Sequence, residues 1–467
     1  MSDATRADAT AAKIAADVSS GQVTARAVTE AALARIAAGN GVINAFTDVV
    51  AERALATADA VDARRAAGQP LGPLAGVPFA VKNLFDIAGL PTRAGSLINR
   101  DREPAAQDGP LIRRLEAAGA VLLGGLNMGE YAYDFTGENA HDGPSRNPHD
   151  TARMSGGSSG GSGAAVAAGM VPLALGSDTN GSIRVPSAFC GLFGLKPTYG
   201  RLSRAGSFPF VSSFDHLGPF GRSVADLALA YDAMQGPDPE DPVATERAPE
   251  PVLAEIGKGA AGLRIAVAGG HFARNAADPA VLAAVARAAE ALGATEVIEF
   301  PEAARARAAA FVITAAEGAA LHLHRLQVRP ADFDPATRDR LIAGLAIPAA
   351  WVIRAQRFRR WYREQVLRLF ERVDVILAPS TPCRAPELGQ KTIVLDGATL
   401  PLRPNIGVFT QPISFIGLPV AAVPMRPDAG LPLGLQAIAA PWREDLALRV
   451  AASLEAVGVA QAPVARG

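Results

Sequence analysis

Serines on glycine-rich backbone, together with one lysine that closes an apolar run, are the residues of this chain whose types and spacing could do chemistry. Ser158 and Ser159 stand in GGSSGG, and Ser182 stands in GSDTNGSIRVP. A serine flanked by Gly181 and preceded by Thr179 and Asn180 sits on a turn where several backbone N–H groups can converge, which is what an oxyanion hole requires. A serine hydroxyl is a weak nucleophile until something takes its proton, and where no histidine is close a lysine held neutral by burial can do so. Lys82 closes the apolar run 77–81, so its amine leaves the strand into the interior of the fold. Its pKa must fall from about 10.4 toward neutrality for it to act as a base at pH 7. Each feature has an ordinary alternative, because a Gly-Ser turn is commonly only a turn and a strand-end lysine is commonly exposed.

Other catalytic kits find little support. The chain contains no HExxH, no GxxxxGK[ST], no EF-hand pattern and no CxxC, which argues against zinc proteases and P-loop nucleotide enzymes. GxSxG is met by Ser158 and Ser159 only because GGSSGG is so rich in both residues, and no clear strand runs straight into it as a nucleophile elbow requires. The histidines are His141, His149, His216, His271, His322 and His324, so a Ser-His-Asp arrangement is not excluded by count. His322 and His324, the one close pair, would point about 200° apart on a helix and have no acidic neighbour at metal-ligand spacing. They read as surface or core histidines. No metal and no cofactor is expected.

The elements that must hold these residues read as follows. Of 467 residues, 45 are Lys or Arg and 46 Asp or Glu, a formal charge of −1 that argues against an electrostatic nucleic-acid or membrane-surface binder. Hydrophobic residues make up 49% and charged residues 19%, the balance of a chain that buries a large core. Two cysteines, Cys190 and Cys383, provide neither a disulfide framework nor a four-sulfur zinc site, which suits a reducing cytoplasm. The N-terminus has no apolar h-region, and the longest apolar run, 163–176, contains Pro172 and is shorter than the roughly 20 residues a spanning helix needs.

Thr24 precedes Val28, Leu33 and Ile36 at helical spacing, and 52–67 has the same alanine-rich character, so the first 70 residues are expected to be mostly helical. Apolar runs at 77–81 and 120–126, with a helix at 109–118 between them, alternate in the manner of an α/β sheet covered on both faces. SGGSSGGSG, 155–163, reads as an ordered loop or linker too rich in Gly and Ser for helix or strand; an alanine-rich helix and a strand at 171–175 follow. Residues 236–262 are Pro- and charge-rich, an exposed excursion before a strand at 263–268. Helical patterns fill 301–372, where the basic stretch 354–363 reads as a solvated face rather than a phosphate site. Apolar strands return at 373–377 and 410–424.

The segment 155–203, SGGSSGGSGAAVAAGMVPLALGSDTNGSIRVPSAFCGLFGLKPTYGRLS, resembles the signature of the amidase signature family of Ser-Ser-Lys amide hydrolases. The resemblance extends to LAGVPFAVKNLFD at 74–86, GENAHDGPSRNPHD at 137–150, DHLGPFGRSVADLAL at 215–229 and PLGLQAIAAPWRED at 432–445. It implies an α/β amidase signature fold with a large mixed β-sheet core covered by helices on both faces. On that basis 1–70 is an N-terminal helical segment packing on the core or a partner, and 71–467 is the amidase domain, with its signature core at 74–230. The family pattern implies Lys82 as base, Ser158 as bridging serine and Ser182 as nucleophile, with Thr179, Asn180, Gly181 and Ser182 forming the oxyanion hole. It associates the bridging serine with a cis peptide, and Asp178 and Arg184 with support of the nucleophile turn.

Many members have glycine where this chain has Asn180, a residue that tolerates left-handed backbone and whose side chain can reach the substrate. That departure, with NMGEYAYDFTGENAHDGPSRNPHD and GRLSRAGSFPFVSSFDHLGP, resembles a subgroup acting in cyanuric acid degradation. It implies hydrolysis of 1-carboxybiuret to urea-1,3-dicarboxylate and ammonia, a small companion subunit, plus assembly as a homodimer. For a carboxylated substrate a fixed arginine is required, and Arg325, Arg340 and Arg403 are the candidates, with Tyr131 as pocket wall or donor. The competing expectations are the glutaminase subunit of a tRNA-dependent amidotransferase, a general aliphatic or aryl amidase, and a catalytically dead scaffold.

Overall fold

The computed structural model describes residues 3–426 and 430–465. Its centre is a mixed sheet of 11 strands. In spatial order these are Phe46–Val49, Val121–Leu126, Pro78–Lys82, Leu173–Asp178, His216–Gly221, Phe193–Lys196, Val420–Met425, Leu433–Ala439, Val375–Pro379, Ile265–Ala268 and Glu296–Ile298. Pro78–Lys82 lies parallel to both of its neighbours, and Leu173–Asp178 runs antiparallel to His216–Gly221. The central strands are buried at every residue, which is why they read as unbroken apolar runs instead of alternating ones. Helices pack along the sheet, among them Gly160–Ala167, Arg184–Cys190, Val224–Met234 and Glu444–Ala456.

Two local readings are corrected, and the mostly helical first 70 residues gain one strand. Gly160–Ala167 is a helix, so the last four residues of the Gly-Ser run expected to be loop are helical. Glycine disfavours helix by about 1 kcal/mol relative to alanine. Here the close approach requires it, because a Cβ on Gly161 would fall 2.5 Å from the Ala45 carbonyl oxygen. In 410–424 the strand is confined to Val420–Met425, and a short helix, Gln411–Ser414, precedes it. Pro412 explains the change: it has no N–H to give a ladder but suits a first helical turn. Within the first 70 residues Phe46–Val49 is a strand, pairing antiparallel with Val121–Leu126 at the sheet edge.

Region 301–372 is filled by the helices Ala303–Val328, Pro335–Leu345 and Ala349–Leu369, and Arg354, Arg357, Arg360 and Arg363 on the last of them are exposed. Among the described residues no single helix is long and apolar enough to cross a membrane.

Candidate active site

The sheet delivers Lys82 to the interior. It ends the central strand Pro78–Lys82 and is fully buried, and its Nζ contacts Ser158 Oγ at 2.7 Å and Ser177 Oγ at 2.8 Å. Burial lowers the Lys82 pKa to about 7 against the opposing charges of Asp215, Asp178 and Asp134. A lysine so placed exists in appreciable amount as the free amine near neutral pH.

Ser158 and Ser159 separate in role despite their identical surroundings in sequence. The Gly157–Ser158 peptide is cis, and Ser158 faces Lys82. Ser159 turns to the strand instead, donating to the Ser177 carbonyl and accepting from its N–H, each at 3.2 Å.

Ser182 lies in the turn between strand Leu173–Asp178 and helix Arg184–Cys190 and is 2% exposed. The turn is braced from below by a fully buried ion pair, Asp178 with Arg184, at 2.9 Å. Asp178 Oδ2 also accepts the Ile183 N–H at 3.1 Å, while Arg184 donates to Gln436 Oε1 at 2.7 Å and to the Thr410 carbonyl at 3.1 Å. Burial alone would raise the Asp178 carboxyl, but the Arg184 guanidinium holds it well below the usual carboxylate range. Gly181 has φ +141°, and a Cβ there would fall 2.3 Å from Thr410 Oγ1, so only glycine fits.

Among the described residues the N–H groups of Asn180, Gly181 and Ser182 meet no protein acceptor. Buried donors without partners are what a developing oxyanion needs. The Asn180 side chain donates from Nδ2 to Thr314 Oγ1 at 2.9 Å, and its buried Oδ1 has no donor among the described residues. The Thr179 hydroxyl donates to Asp215 Oδ1 at 2.6 Å. Ser182 Oγ is not hydrogen-bonded to Ser158 Oγ, so Lys82 and Ser158 form the joined pair and Ser182 stands apart from it.

A cavity of about 170 Å³ opens beside this group, lined in part by Ala132, Ser177, Thr179, Phe208, Phe210 and Asp215. The three arginines proposed from sequence differ sharply in surroundings. Arg403 is committed to carboxylates, pairing with Asp134 and with Glu138. Arg325 lies over the Phe208 ring at 5.3 Å. Arg340 donates to the Tyr133 carbonyl at 2.7 Å and stacks 3.5 Å over the Tyr133 ring, which in turn packs on Phe210 at 4.8 Å. It has no carboxylate partner among the described residues, and burial lowers its pKa. Tyr131 is buried against His322, with ring centroids 4.0 Å apart, and its hydroxyl is spent on Asn99 Oδ1 at 3.1 Å.

No histidine nitrogen is hydrogen-bonded to Ser158 or Ser182 among the described residues. His216 Nδ1 faces the carbonyl of Asp178 at 3.1 Å, and burial holds its pKa well below the ordinary value. His322 is a core histidine with both ring nitrogens unpartnered among the described residues, lowered to about 3 by burial. No group of three His, Cys, Asp or Glu side chains among the described residues is placed to hold a metal. The site residues that sequence reasoning missed are Ser177, Asp215, Thr314 and Thr410. Ser177 and Asp215 sit inside segments already singled out, GSDTNGS and DHLGP, but nothing local marks the two threonines.

Comparison with known proteins places this arrangement. The Amidase family model matches residues 27–448. AtzE, the 1-carboxybiuret hydrolase subunit of Pseudomonas sp. (strain ADP), is 58% identical over 95% of this chain and 97% of its own. The A component of the glutamyl-tRNA(Gln) amidotransferase of Chloroflexus aggregans is 40% identical over 93% of each chain. A solved structure, that of a vestigial protein complex which reveals the evolutionary origins of an s-triazine catabolic enzyme, superposes with a TM-score of 0.96 at 57% identity, covering 97% of this chain and 99% of the other. With a family model and relatives of this identity spanning nearly its whole length, the chain belongs to the amidase family of C–N hydrolases.

Proposed function

We propose that the chain hydrolyses 1-carboxybiuret to urea-1,3-dicarboxylate and ammonia through an acyl-enzyme on Ser182. The observation that carries the chemistry is the 2.7 Å contact between a buried Lys82, lowered to about 7, and the Ser158 hydroxyl beside the Ser182 turn. Ser182 Oγ attacks the terminal amide carbonyl while its proton passes to Ser158 and that of Ser158 to Lys82. The N–H groups around Asn180, Gly181 and Ser182 receive the oxyanion. Proton return through Ser158 to the leaving nitrogen breaks the C–N bond and frees ammonia. Water then adds to the Ser182 ester by the same relay, releasing the acid and restoring the serine.

Two features support the substrate. Arg325 and Arg340 are both without a carboxylate among the described residues, and Arg340 stacks on Tyr133, whose ring packs on Phe210 of the cavity wall, which suits a carboxylate anchor. Asn180 Oδ1, buried without a donor among the described residues, suits the N–H groups of a ureido chain. The three carboxylates whose charges reach Lys82 are all engaged: Asp134 by Thr136, Gly137 and Arg403, Asp215 by Thr179, Phe210 and Val211, and Asp178 by Arg184.

The test is ammonia release from 1-carboxybiuret, biuret, glutamine and simple amides, with Ser182→Ala as blank. Preference for 1-carboxybiuret, with KM raised tenfold or more in Arg340→Gln and kcat less affected, is the expected result; loss of an Arg–carboxylate contact of about 1.5–3 kcal/mol has that size. Preference for glutamine would move the protein to the amidotransferase branch. A homodimer with a small companion subunit belongs to the same proposal. It is supported by the relatives, one of them a hydrolase subunit, another solved as a protein complex, and by the exposed apolar corner of Ile342, Leu345, Trp351 and Ile353. Light scattering that gives the mass of one chain would overturn the dimer.

A further inference from the structure

Asn180 is gripped at both ends of its polar surface. Thr314 holds the side-chain amide at 2.9 Å, and the Thr410 hydroxyl lies 2.6 Å from the Asn180 carbonyl oxygen. That hydroxyl has one hydrogen and two carbonyl neighbours, Asn180 O and, at 3.2 Å, Gly407 O, so it donates to the nearer. The Asn180–Gly181 peptide is planar and trans, with its C=O and N–H pointing in opposite directions. A bond that fixes the Asn180 carbonyl therefore fixes the direction of the Gly181 N–H, which meets no protein acceptor among the described residues.

We infer that Thr410 is a positioning residue of the oxyanion site, aiming the Gly181 N–H through the Asn180 carbonyl. The inference rests on the proposed reading of Ser182 as nucleophile. Thr410 is itself immobilised. It is fully buried, its N–H donates to Gly407 O at 3.1 Å, and its carbonyl accepts from Arg184 at 3.1 Å. The segment around it is tied to helix Ala303–Val328 by Arg307, which donates to Gln411 Oε1 at 2.8 Å, Asn405 Oδ1 at 2.8 Å and Pro404 O at 2.9 Å. Arg307 has no carboxylate partner among the described residues, so these three neutral acceptors, with the Phe311 ring 5.2 Å from its guanidinium, hold it. The same helix carries Thr314, so both grips on Asn180 belong to one rigid frame. An oxyanion donor fixed before charge develops lowers the barrier without tightening substrate binding.

Thr410→Val removes the hydroxyl and keeps the branched shape; Thr410→Ser keeps the hydroxyl and removes the methyl. The experiment measures kcat, KM and inhibition by phenylboronic acid, to whose boron Ser182 Oγ adds to give a tetrahedral anion while the serine proton passes to the relay. Removing one oxyanion donor costs about 10²–10³ in kcat, and misaiming one costs less. Thr410→Val is therefore expected to lower kcat about 10- to 100-fold and to weaken phenylboronic acid by the same factor, with KM within about threefold and a melting temperature lowered by only a few degrees for the one buried carbonyl left without a donor. Thr410→Ser restores both within about threefold. Full kcat in Thr410→Val, a loss confined to KM, or a Thr410→Ser variant as poor as Thr410→Val would overturn the inference, the last by showing that the methyl contact with Gly181 matters instead. Wild-type turnover that survives Ser182→Ala would remove the nucleophile assignment and this inference together, whereas turnover lost in Ser182→Ala but intact in Thr410→Val would remove this inference alone.

Discussion

In the proposed mechanism Lys82 is the group whose protonation sets the response to pH. Its amine accepts a proton only when neutral, and burial puts its pKa at about 7. Activity is therefore expected to rise with pH, with kcat/KM passing its midpoint near 7 and levelling above it. Lys196, also buried, is lowered to the same value, so the limb is assigned by the variant: Lys82→Ala should lose about 10²–10⁴ of kcat and the limb with it. A wild-type profile flat from about pH 6 to 9 would remove the base assignment, since that window brackets the pKa a neutral base requires. The stability sign follows from the same depression. Between the folded pKa and the unfolded one the unfolded chain binds more protons, so the contribution of Lys82 to stability grows as pH rises above 7 and is lost on acidification. Lys82 and Ser182 were legible because their types are unusual for their surroundings. From the residues alone both Ser158 and Ser159 fit GxSxG; the family resemblance pointed to Ser158, and it is the Ser158 hydroxyl that meets Lys82 while Ser159 turns to the strand.

Between strand Leu173–Asp178 and helix Arg184–Cys190, the Ser182 turn is held by charge at its base. Asp178 and Arg184 are both fully buried, so removing one leaves the other uncompensated. Asp178→Ala is expected to destabilise the protein by about 3–5 kcal/mol, read from the midpoint of urea unfolding, and a change below about 1 kcal/mol would contradict the brace. This element was readable in outline because strand, turn and helix are contiguous in sequence. The start of helix Gly160–Ala167 was misread for the opposite reason: its first four residues, Gly-Gly-Ser-Gly, are poor helix formers, and the fit of Gly161 lies in a contact with Ala45, more than a hundred residues away.

At the scale of the molecule, the N-terminal helices are tied to the sheet by Arg222, which is buried beside strand His216–Gly221. It donates to the Ala9 carbonyl at 2.7 Å, to Val166 O at 3.0 Å and to Val171 O at 3.2 Å, and Asp226 accepts the Ala12 N–H at 3.1 Å. Arg222→Ala leaves three carbonyls without this donor and is expected to cost about 2–4 kcal/mol. Limited proteolysis should then cut the first 24 residues faster than in the wild type; an unchanged rate with unchanged stability would show that the tie is dispensable.

The sequence by itself determined the family and the mixed sheet and singled out Lys82, Ser158 and Ser182 as candidates, because the runs that carry the family resemblance, 74–86 and 155–203, are long and contiguous. The sheet decided the rest. Lys82 meets Ser158 across 76 positions and Thr410 meets Asn180 across 230, and Arg403 is committed to carboxylates because of where Asp134 and Glu138 come to lie. Strand order and helix packing choose such partners, and a single chain read in one dimension carries no local mark of them.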